Sequence, residues 1–221
     1  RLAKPSQIER GHYSRLAIGS SRTLMGIPVN HAAWAAQAGE PGFNAGIQGA
    51  DLRSIRDLFE HAVATGAVKS VVIDLDLFMF NAWLPTGEYP YPVATLDETE
   101  AQRFVRQRDT AMRLLFSPGI TTSSIETLRK QDPAKDKVMI DGTTNPANEL
   151  RHVLDDGYEV RFRQFEDRMV RTGWSPCRDN RYAFTRNAGE KNAIDKMQYF
   201  RDILRIAHDH HVDVKFFIPP I

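Results

Sequence analysis

The fold is decided by the stretch Arg15-Leu16-Ala17-Ile18-Gly19-Ser20-Ser21-Arg22-Thr23, an apolar run that stops at a glycine followed by two serines. A buried strand that ends in this way is typical of the carboxyl edge of a parallel sheet, where several hydrolase folds present a nucleophilic hydroxyl. Small residues after a strand can equally form a strand-to-helix turn with a serine cap. The stretch therefore predicts a strand and a turn, with Ser21 as either a nucleophile or part of a structural cap.

Four short apolar runs predict the strands of one parallel sheet. A strong amphipathic helix starts at Asp51 and stops at Gly66, between the second and third runs, and another spans Asn192 to His211 before the last run. Strands that alternate with helices indicate a parallel sheet with right-handed crossovers, so we predict a three-layer α/β domain. The predicted strands are Leu16–Gly19, Phe43–Ile47, Val68–Leu75 and Val212–Ile218.

The chain is predicted to be a single domain over 1–221, with a mostly helical insertion at about 82–191. A capping box at Thr95-Leu96-Asp97-Glu98 opens a helix with an apolar stripe that includes Phe104, Val105 and Met112. A further helix over 158–171 is predicted to place Phe162, Phe165 and Met169 inward. Because the chain starts at Arg and stops directly after a strand, we expect it to be an excised part of a longer protein.

Composition excludes several classes of function. The 221 residues are 42% hydrophobic and 26% charged, as in an ordinary soluble globular domain. The 29 Lys and Arg against 28 Asp and Glu give a net charge of +1, which does not indicate a nucleic-acid partner. Cys177 is the only cysteine, so no disulfide framework or cysteine-based zinc site is expected. No apolar run is long enough for a membrane span in this piece, and an anchor outside it stays open.

Loops after the first three strands carry the groups that an ester-cleaving site needs. Such a site requires a nucleophilic hydroxyl, donors for the oxyanion, and a base. Ser21 offers the hydroxyl, and its own N–H, the N–H of Gly49 and the side-chain amide of Asn81 are candidate oxyanion donors. Because neighbouring parallel strands end at one edge, these groups are expected to face one cleft.

Other polar residues near these loops leave alternatives open. Arg22 could receive an anionic substrate or pair with a neighbouring carboxylate. Asp74 and Asp76 could hold a loop or orient a group in the site. A cluster at His208, His210 and His211 precedes the last strand, so it should lie at the edge opposite Ser21, and its spacing does not favour a metal. No metal and no cofactor is expected.

Three blocks of this sequence resemble the SGNH, or GDSL-type, hydrolases, and especially an uncharacterised bacterial branch of that superfamily. The blocks are Ile18-Gly19-Ser20-Ser21, Asn44-Ala45-Gly46-Ile47-Gln48-Gly49-Ala50 and Val71 to Asn81. The resemblance implies a flavodoxin-like sheet, a nucleophile at Ser21, oxyanion donors at Gly49 and Asn81, and an Asp-x-x-His pair after the last strand. Ser20 stands where the family has an aspartate, and the third block lacks the family's Gly-x-Asn-Asp.

The resemblance implies a serine esterase or O-acyltransferase that acts on an ester of a carbohydrate or cell-envelope polymer through an acyl-enzyme on Ser21. Ser20 and Arg22 are the expected substrate-binding residues, and the base is a histidine expected beyond Ile221. The expected location is the bacterial cell envelope or periplasm, with a cytoplasmic location open. The missing Gly-x-Asn-Asp favours an alternative, a non-catalytic SGNH-like domain that binds a glycan or protein partner. A phosphate or nucleotide binder is disfavoured because no Gly-rich loop with a following Lys is present.

Overall fold

The structure is a computed structural model of the whole chain. The residues that it describes are 3–29, 31, 42–84, 86, 92–116, 139, 141–145, 147, 150, 154–155, 157–160, 162–164, 167 and 195–219. Helices and strands are numbered below among these residues.

Four strands form one sheet in which every neighbouring pair is parallel, as predicted. They are β1 Arg15–Ile18, β2 Gly42–Asn44, β3 Ser70–Asp74 and β4 Asp213–Phe217, in the order β2-β1-β3-β4. Ile18 pairs with Ile73, and Ile73 pairs with Phe216. Because paired residues point to the same face, this register builds one apolar face across the sheet.

The helices begin and end where local capping dictates. They are α1 Ala3–Gly11, α2 Ser21–Gly26, α3 Leu52–Ala64, α4 Glu100–Phe116 and α5 Lys196–Asp209, with a 3₁₀-helix at Leu77–Phe80. The carboxylate of Asp51 accepts a hydrogen bond from the Ser54 N–H at 2.8 Å and so caps α3. Asp195 caps α5 in the same way. The predicted helices at 51–66 and 192–211 are confirmed with slightly shorter bounds.

Helices α3 and α5 pack against each other on the apolar face of the sheet. The rings of Phe200 on α5 and Phe216 on β4 lie 5.2 Å apart, and Phe80 meets Phe200 edge-on at 6.0 Å. On the opposite face, α2 contacts the side chains of Asn44 and Asp74. Because both α3 and α5 run back toward the start of the next strand, their N-termini lie at the carboxyl edge of the sheet, where the strands end.

The region between β3 and α5 differs from the prediction in where its first helix starts and in which side chains are buried. Helix α4 is capped by Thr99, whose hydroxyl accepts a hydrogen bond from the Gln102 N–H at 3.3 Å, and not by the predicted capping box at Thr95 to Glu98. The apolar stripe of α4 does not pack on the described core, because Phe104 and Val105 are 67% and 64% exposed. The predicted inward orientation of Phe162 is also wrong, since this side chain is exposed. Phe165, Met169 and Cys177 lie outside the described residues. No described helix combines the length and apolarity that a membrane span would need.

Candidate active site

The turn from β1 into α2 is tightly packed at the carboxyl edge. A Cβ on Gly19 would collide with the hydroxyl of Thr23 and the Cβ of Asp74. Glycine at this position therefore lets the first turn of α2 lie directly against the end of β3. The sequence signal for this site, a glycine between an apolar run and two serines, has a steric cause.

Ser20 has a structural role in this turn. Its backbone is extended and it is the N-cap of α2, with its hydroxyl oxygen accepting a hydrogen bond from the Arg22 N–H at 3.2 Å. The same hydroxyl donates to the carboxylate of Asp74 at 2.9 Å. Ser20 is 2% exposed, so it has little access to a substrate. Its predicted role in substrate binding finds no support in this arrangement.

Asp74 is the acceptor that joins the end of β3 to α2. One of its oxygens accepts bonds from the Ser20 N–H, the Ser20 hydroxyl and the Thr23 hydroxyl, at 3.3, 2.9 and 3.2 Å. Its other oxygen is buried and has no hydrogen-bond partner among the described residues. Burial raises the pKa of Asp74, against the hydrogen bonds from Ser20, and the nearby charge of Asp76 raises this pKa further. Of the two roles considered for Asp74, holding the loop is the one observed.

Arg22 forms an ion pair with Asp76, the pairing that the sequence left open. The Arg22 Nη1 and Asp76 Oδ1 atoms lie 2.7 Å apart, with 40% of the Arg22 side chain exposed and 2% of the Asp76 side chain. Despite this short distance, neither carboxylate oxygen of Asp76 has a well-aligned hydrogen bond with a described residue. The contact is therefore best described as electrostatic. An anionic substrate at Arg22 would have to compete with this carboxylate.

Ser21 contrasts with Ser20. It is the first residue of α2, it is half-buried, and its hydroxyl makes no hydrogen bond with a described residue. Its own N–H belongs to the first turn of α2, and the N–H groups of a first turn have no acceptor within their helix. Ser21 thus has a hydroxyl that none of the described residues binds at the carboxyl edge.

Gly49 lies in the loop that follows β2, the neighbour of β1, at the same carboxyl edge of the sheet. Beyond β2 the chain still follows β1, because the N–H of Ile47 donates to the carbonyl of Gly19 at 2.8 Å. Gly49 follows in an exposed turn with φ of 69°, a conformation that favours glycine. The two loops therefore run side by side, while the shared cleft of the Ser21 hydroxyl and the Gly49 N–H stays a prediction.

Asn81 lies just past the 3₁₀-helix that follows Asp76. It is fully buried, and its side-chain oxygen accepts a hydrogen bond from the Trp83 N–H at 3.2 Å. The amide nitrogen, which can only donate, is the group that would serve the oxyanion. Its orientation toward Ser21 stays a prediction.

Asn44 is a residue of the site whose role the sequence reasoning missed. Its amide nitrogen donates to the carbonyls of Thr23 and Ile27 at 2.8 and 2.9 Å, and its amide oxygen accepts from the Gly46 N–H at 2.9 Å. It therefore ties the end of α2 to β2. An asparagine two residues before a glycine at a strand end is a signal for such an arrangement.

Lys4 supports Asn44 from the far side of β2. Its amine donates to the carbonyls of Asn44 at 2.7 Å and Gly142 at 3.1 Å. Burial lowers the pKa of Lys4 to about 7, although the charge of Asp141 acts in the opposite direction. Nothing in the local sequence around Lys4 indicates this contact, because its partners lie 40 and 138 residues away.

Five of the six histidines that the structure describes lie away from the carboxyl edge, and the sixth, His31, is exposed in the segment that follows α2. His61 is in the last turn of α3 and is buried between the Pro5 carbonyl and the Ala94 N–H. His12 follows α1, just before β1 begins, and His208, His210 and His211 stand at the exposed end of α5, before β4 begins. The prediction that this last cluster lies opposite Ser21 is consistent with the topology. Among the described residues, no group of three or more His, Cys, Asp or Glu is arranged to hold a metal.

Comparison of the chain with protein-family models, with curated proteins and with solved structures found no match in any of the three. The interpretation of the site therefore depends on its geometry.

Proposed function

We propose that this chain carries an SGNH-type serine esterase or O-acyltransferase site, with Ser21 as the nucleophile. The observation that carries the proposal is the difference between two adjacent serines. Ser20 is buried and hydrogen-bonded to Asp74, whereas Ser21 is half-buried at the carboxyl edge of a parallel sheet and none of the described residues binds its hydroxyl. A nucleophile needs this combination of access and a rigid support.

In the proposed reaction the Ser21 oxygen attacks the ester carbonyl and gives a tetrahedral oxyanion. Its collapse releases the alcohol and leaves an acyl group on Ser21, which passes to water or to an acceptor hydroxyl. We assign the oxyanion to the N–H groups of Ser21 and Gly49, while the amide of Asn81, which is fully buried, would first have to become accessible to the substrate. The proton from Ser21 goes to a histidine outside the described residues.

The finer fold assignment, a flavodoxin-like three-layer SGNH domain with an insertion at 82–191, belongs to the same proposal.

The proposed substrate is an ester of a carbohydrate or a cell-envelope polymer, and the proposed location is the bacterial envelope or periplasm. A second candidate is a non-catalytic domain of the same type that binds a glycan or protein. It is favoured by the position of five of the six described histidines, all but His31, away from the carboxyl edge. Without a histidine, a serine nucleophile retains little activity beyond that from its oxyanion hole.

Hydrolysis of p-nitrophenyl acetate by the full-length natural protein separates the two candidates. We expect turnover that Ser21→Ala reduces by a factor of about 10³ or more, because nucleophile and base act as a unit. The matched control is Ser20→Ala, which should lower stability but retain Ser21-dependent turnover. Absence of turnover, or equal turnover by Ser21→Ala, would favour the binding domain.

A further inference from the structure

A concave site that does not include Ser21 lies at the amino edge of the sheet, where the strands begin. An open cavity of about 640 Å³ is lined by α1, the end of α3, the segment around Ala94 and one face of α4. Because α1 ends just before β1 starts and α3 ends just before β3 starts, the cavity and Ser21 lie at opposite ends of the strands. Its volume falls in the range of small-molecule pockets, which is about 300–1,000 Å³.

His61 does not line the cavity but joins two segments that do, those of Pro5 and Ala94. The ring Nδ1 accepts a hydrogen bond from the Ala94 N–H at 2.8 Å, so the proton is on Nε2, which donates to the Pro5 carbonyl at 3.0 Å. Burial lowers the pKa of His61, which favours this neutral form. The segment at Ala94 and helix α1 are thereby held on either side of the same ring.

The upper wall is fixed by Arg106 of α4. Its guanidinium contacts the carboxylate of Glu98 at 2.7 Å and that of Glu9 on α1 at 3.3 Å. Burial alone would raise the pKa of Glu9, but hydrogen bonds from Arg106 and Gln107 lower it, so Glu9 is a carboxylate at neutral pH. The cavity is therefore bounded by two fixed walls.

The polar groups left over in the cavity are mostly cationic or hydrogen-bond donors. Arg10 lines the cavity and makes no ion pair with a described residue, and Arg103 makes only a 3.9 Å contact with Glu98. The hydroxyl of Thr110, which also lines the cavity, is buried and has no hydrogen-bond partner in the described part of the chain. A buried polar group without a partner is costly, and a ligand atom would supply one.

Small apolar residues contribute part of the lining, namely Pro5, Ala64, Pro92, Ala94 and Ala111, and polar side chains that include Glu9, Arg106 and Gln107 contribute the rest. A site that offers both kinds of surface suits a ligand with an apolar part and a polar part. We propose that this cavity binds a small amphipathic molecule with one anionic group, whose apolar part packs on the prolines and alanines. Arg10 and Arg103 bind its carboxylate or sulfonate, and Thr110 donates to it.

The test uses 1-anilinonaphthalene-8-sulfonate, an amphipathic monoanion that fluoresces when it leaves water. We expect one site per chain. Arg10→Gln together with Arg103→Gln should weaken its binding about tenfold or more, because both charge-assisted hydrogen bonds to the sulfonate are lost. Arg113→Gln is the matched control, since Arg113 lies on the same helix, pairs with Asp109 and does not line the cavity.

Ala111→Trp, which fills the cavity, should abolish the high-affinity site, and urea unfolding of each variant shows whether it is folded. The neutral dye N-phenyl-1-naphthylamine should bind at least about tenfold more weakly than the sulfonate. Equal binding of the two dyes, or unchanged sulfonate binding in the arginine pair or in Ala111→Trp, would overturn the proposal. So would the absence of a one-to-one site in the wild-type protein.

Discussion

The two edges of the sheet are organised by different kinds of contact. At the carboxyl edge, short side chains such as Ser20, Thr23 and Asp74 form buried hydrogen bonds that leave no room for a Cβ on Gly19. At the amino edge, the long side chain of Arg106 on α4 forms an ion pair with Glu9 on α1, beside a cavity that both helices line. The first arrangement fixes positions closely, as a catalytic group requires, and the second leaves space for a ligand.

The largest effect should come from closing the space at the carboxyl edge. In Gly19→Ala, the new methyl group collides with Thr23 and Asp74, so we expect a loss of about 3 kcal/mol or more in the free energy of unfolding. Urea denaturation measures it. Gly26→Ala is the control, because no atom lies within 4 Å of the position that its new Cβ would take, and its effect should stay within about 0.5 kcal/mol. Similar values for the two variants would show that the turn is loosely packed.

Removing the acceptor at Asp74 should have the next largest effect. Asp74→Ala leaves three donors without their partner, so we expect a loss of about 1–3 kcal/mol in the free energy of unfolding. Asp74→Asn keeps an acceptor and removes the buried charge, so it should be much less destabilising at pH 7.

The two Asp74 variants also have a pH signature. Because the folded-state pKa of Asp74 is raised, its contribution to stability is full below the unfolded pKa of about 4 and is lost as pH rises through the folded pKa. Stability of the wild type relative to Asp74→Asn should therefore fall as pH rises from about 4. A difference in stability that does not change with pH would mean that the pKa of Asp74 is not raised in the folded protein.

At the amino edge, Arg106→Gln should cost about 1–3 kcal/mol, because it leaves the nearly buried carboxylate of Glu98 with only the 3.9 Å contact to Arg103 among the described residues. Hydrogen exchange should show faster opening of α4 than of α3. The control Arg113→Gln removes an exposed pair with Asp109 and should change stability by less than about 0.5 kcal/mol. An Arg106 variant that matches its control would mean that α4 is held by other contacts.

The smallest effect at neutral pH is expected for Lys4→Met, less than about 1 kcal/mol. Loss of two hydrogen bonds to carbonyls is offset by removal of a buried charge. Because the folded pKa of Lys4 is about 7, its contribution is full above the unfolded pKa of about 10.4 and is lost as pH falls through 7. The free energy of unfolding of the wild type, minus that of Lys4→Met, should therefore rise between pH 7 and pH 10. A flat difference would contradict the depressed pKa.

The sheet could be predicted from the sequence because strands such as β1 and β3 are apolar runs buried against neighbours on the sheet. The start of α3 was equally readable, since Asp51 and the first turn of α3 form a local cap. The bond between Ser20 and Asp74 was not readable, because it joins residues 54 positions apart and depends on the register that pairs Ile18 with Ile73.

Helix α4 shows a second limit of the sequence pattern. Its periodicity identified an apolar face at Phe104, Val105 and Met112, yet the helix turns the opposite face, with Arg103 and Arg106, toward α1. At 100° per residue these two sets lie on opposite sides of the helix. Amphipathicity predicted the helix, while ion pairs with Glu9 and Glu98 decide which side faces the body.

The central claim, that Ser21 is the reactive hydroxyl and Ser20 its structural neighbour, is tested most directly by a fluorophosphonate probe, which needs an activated serine and no particular substrate. The full-length natural protein is labelled and the adduct is located by mass spectrometry. We expect one adduct on Ser21, its loss in Ser21→Ala and its persistence on Ser21 in Ser20→Ala. An adduct on Ser20, or no serine-dependent labelling of a folded protein, would contradict it.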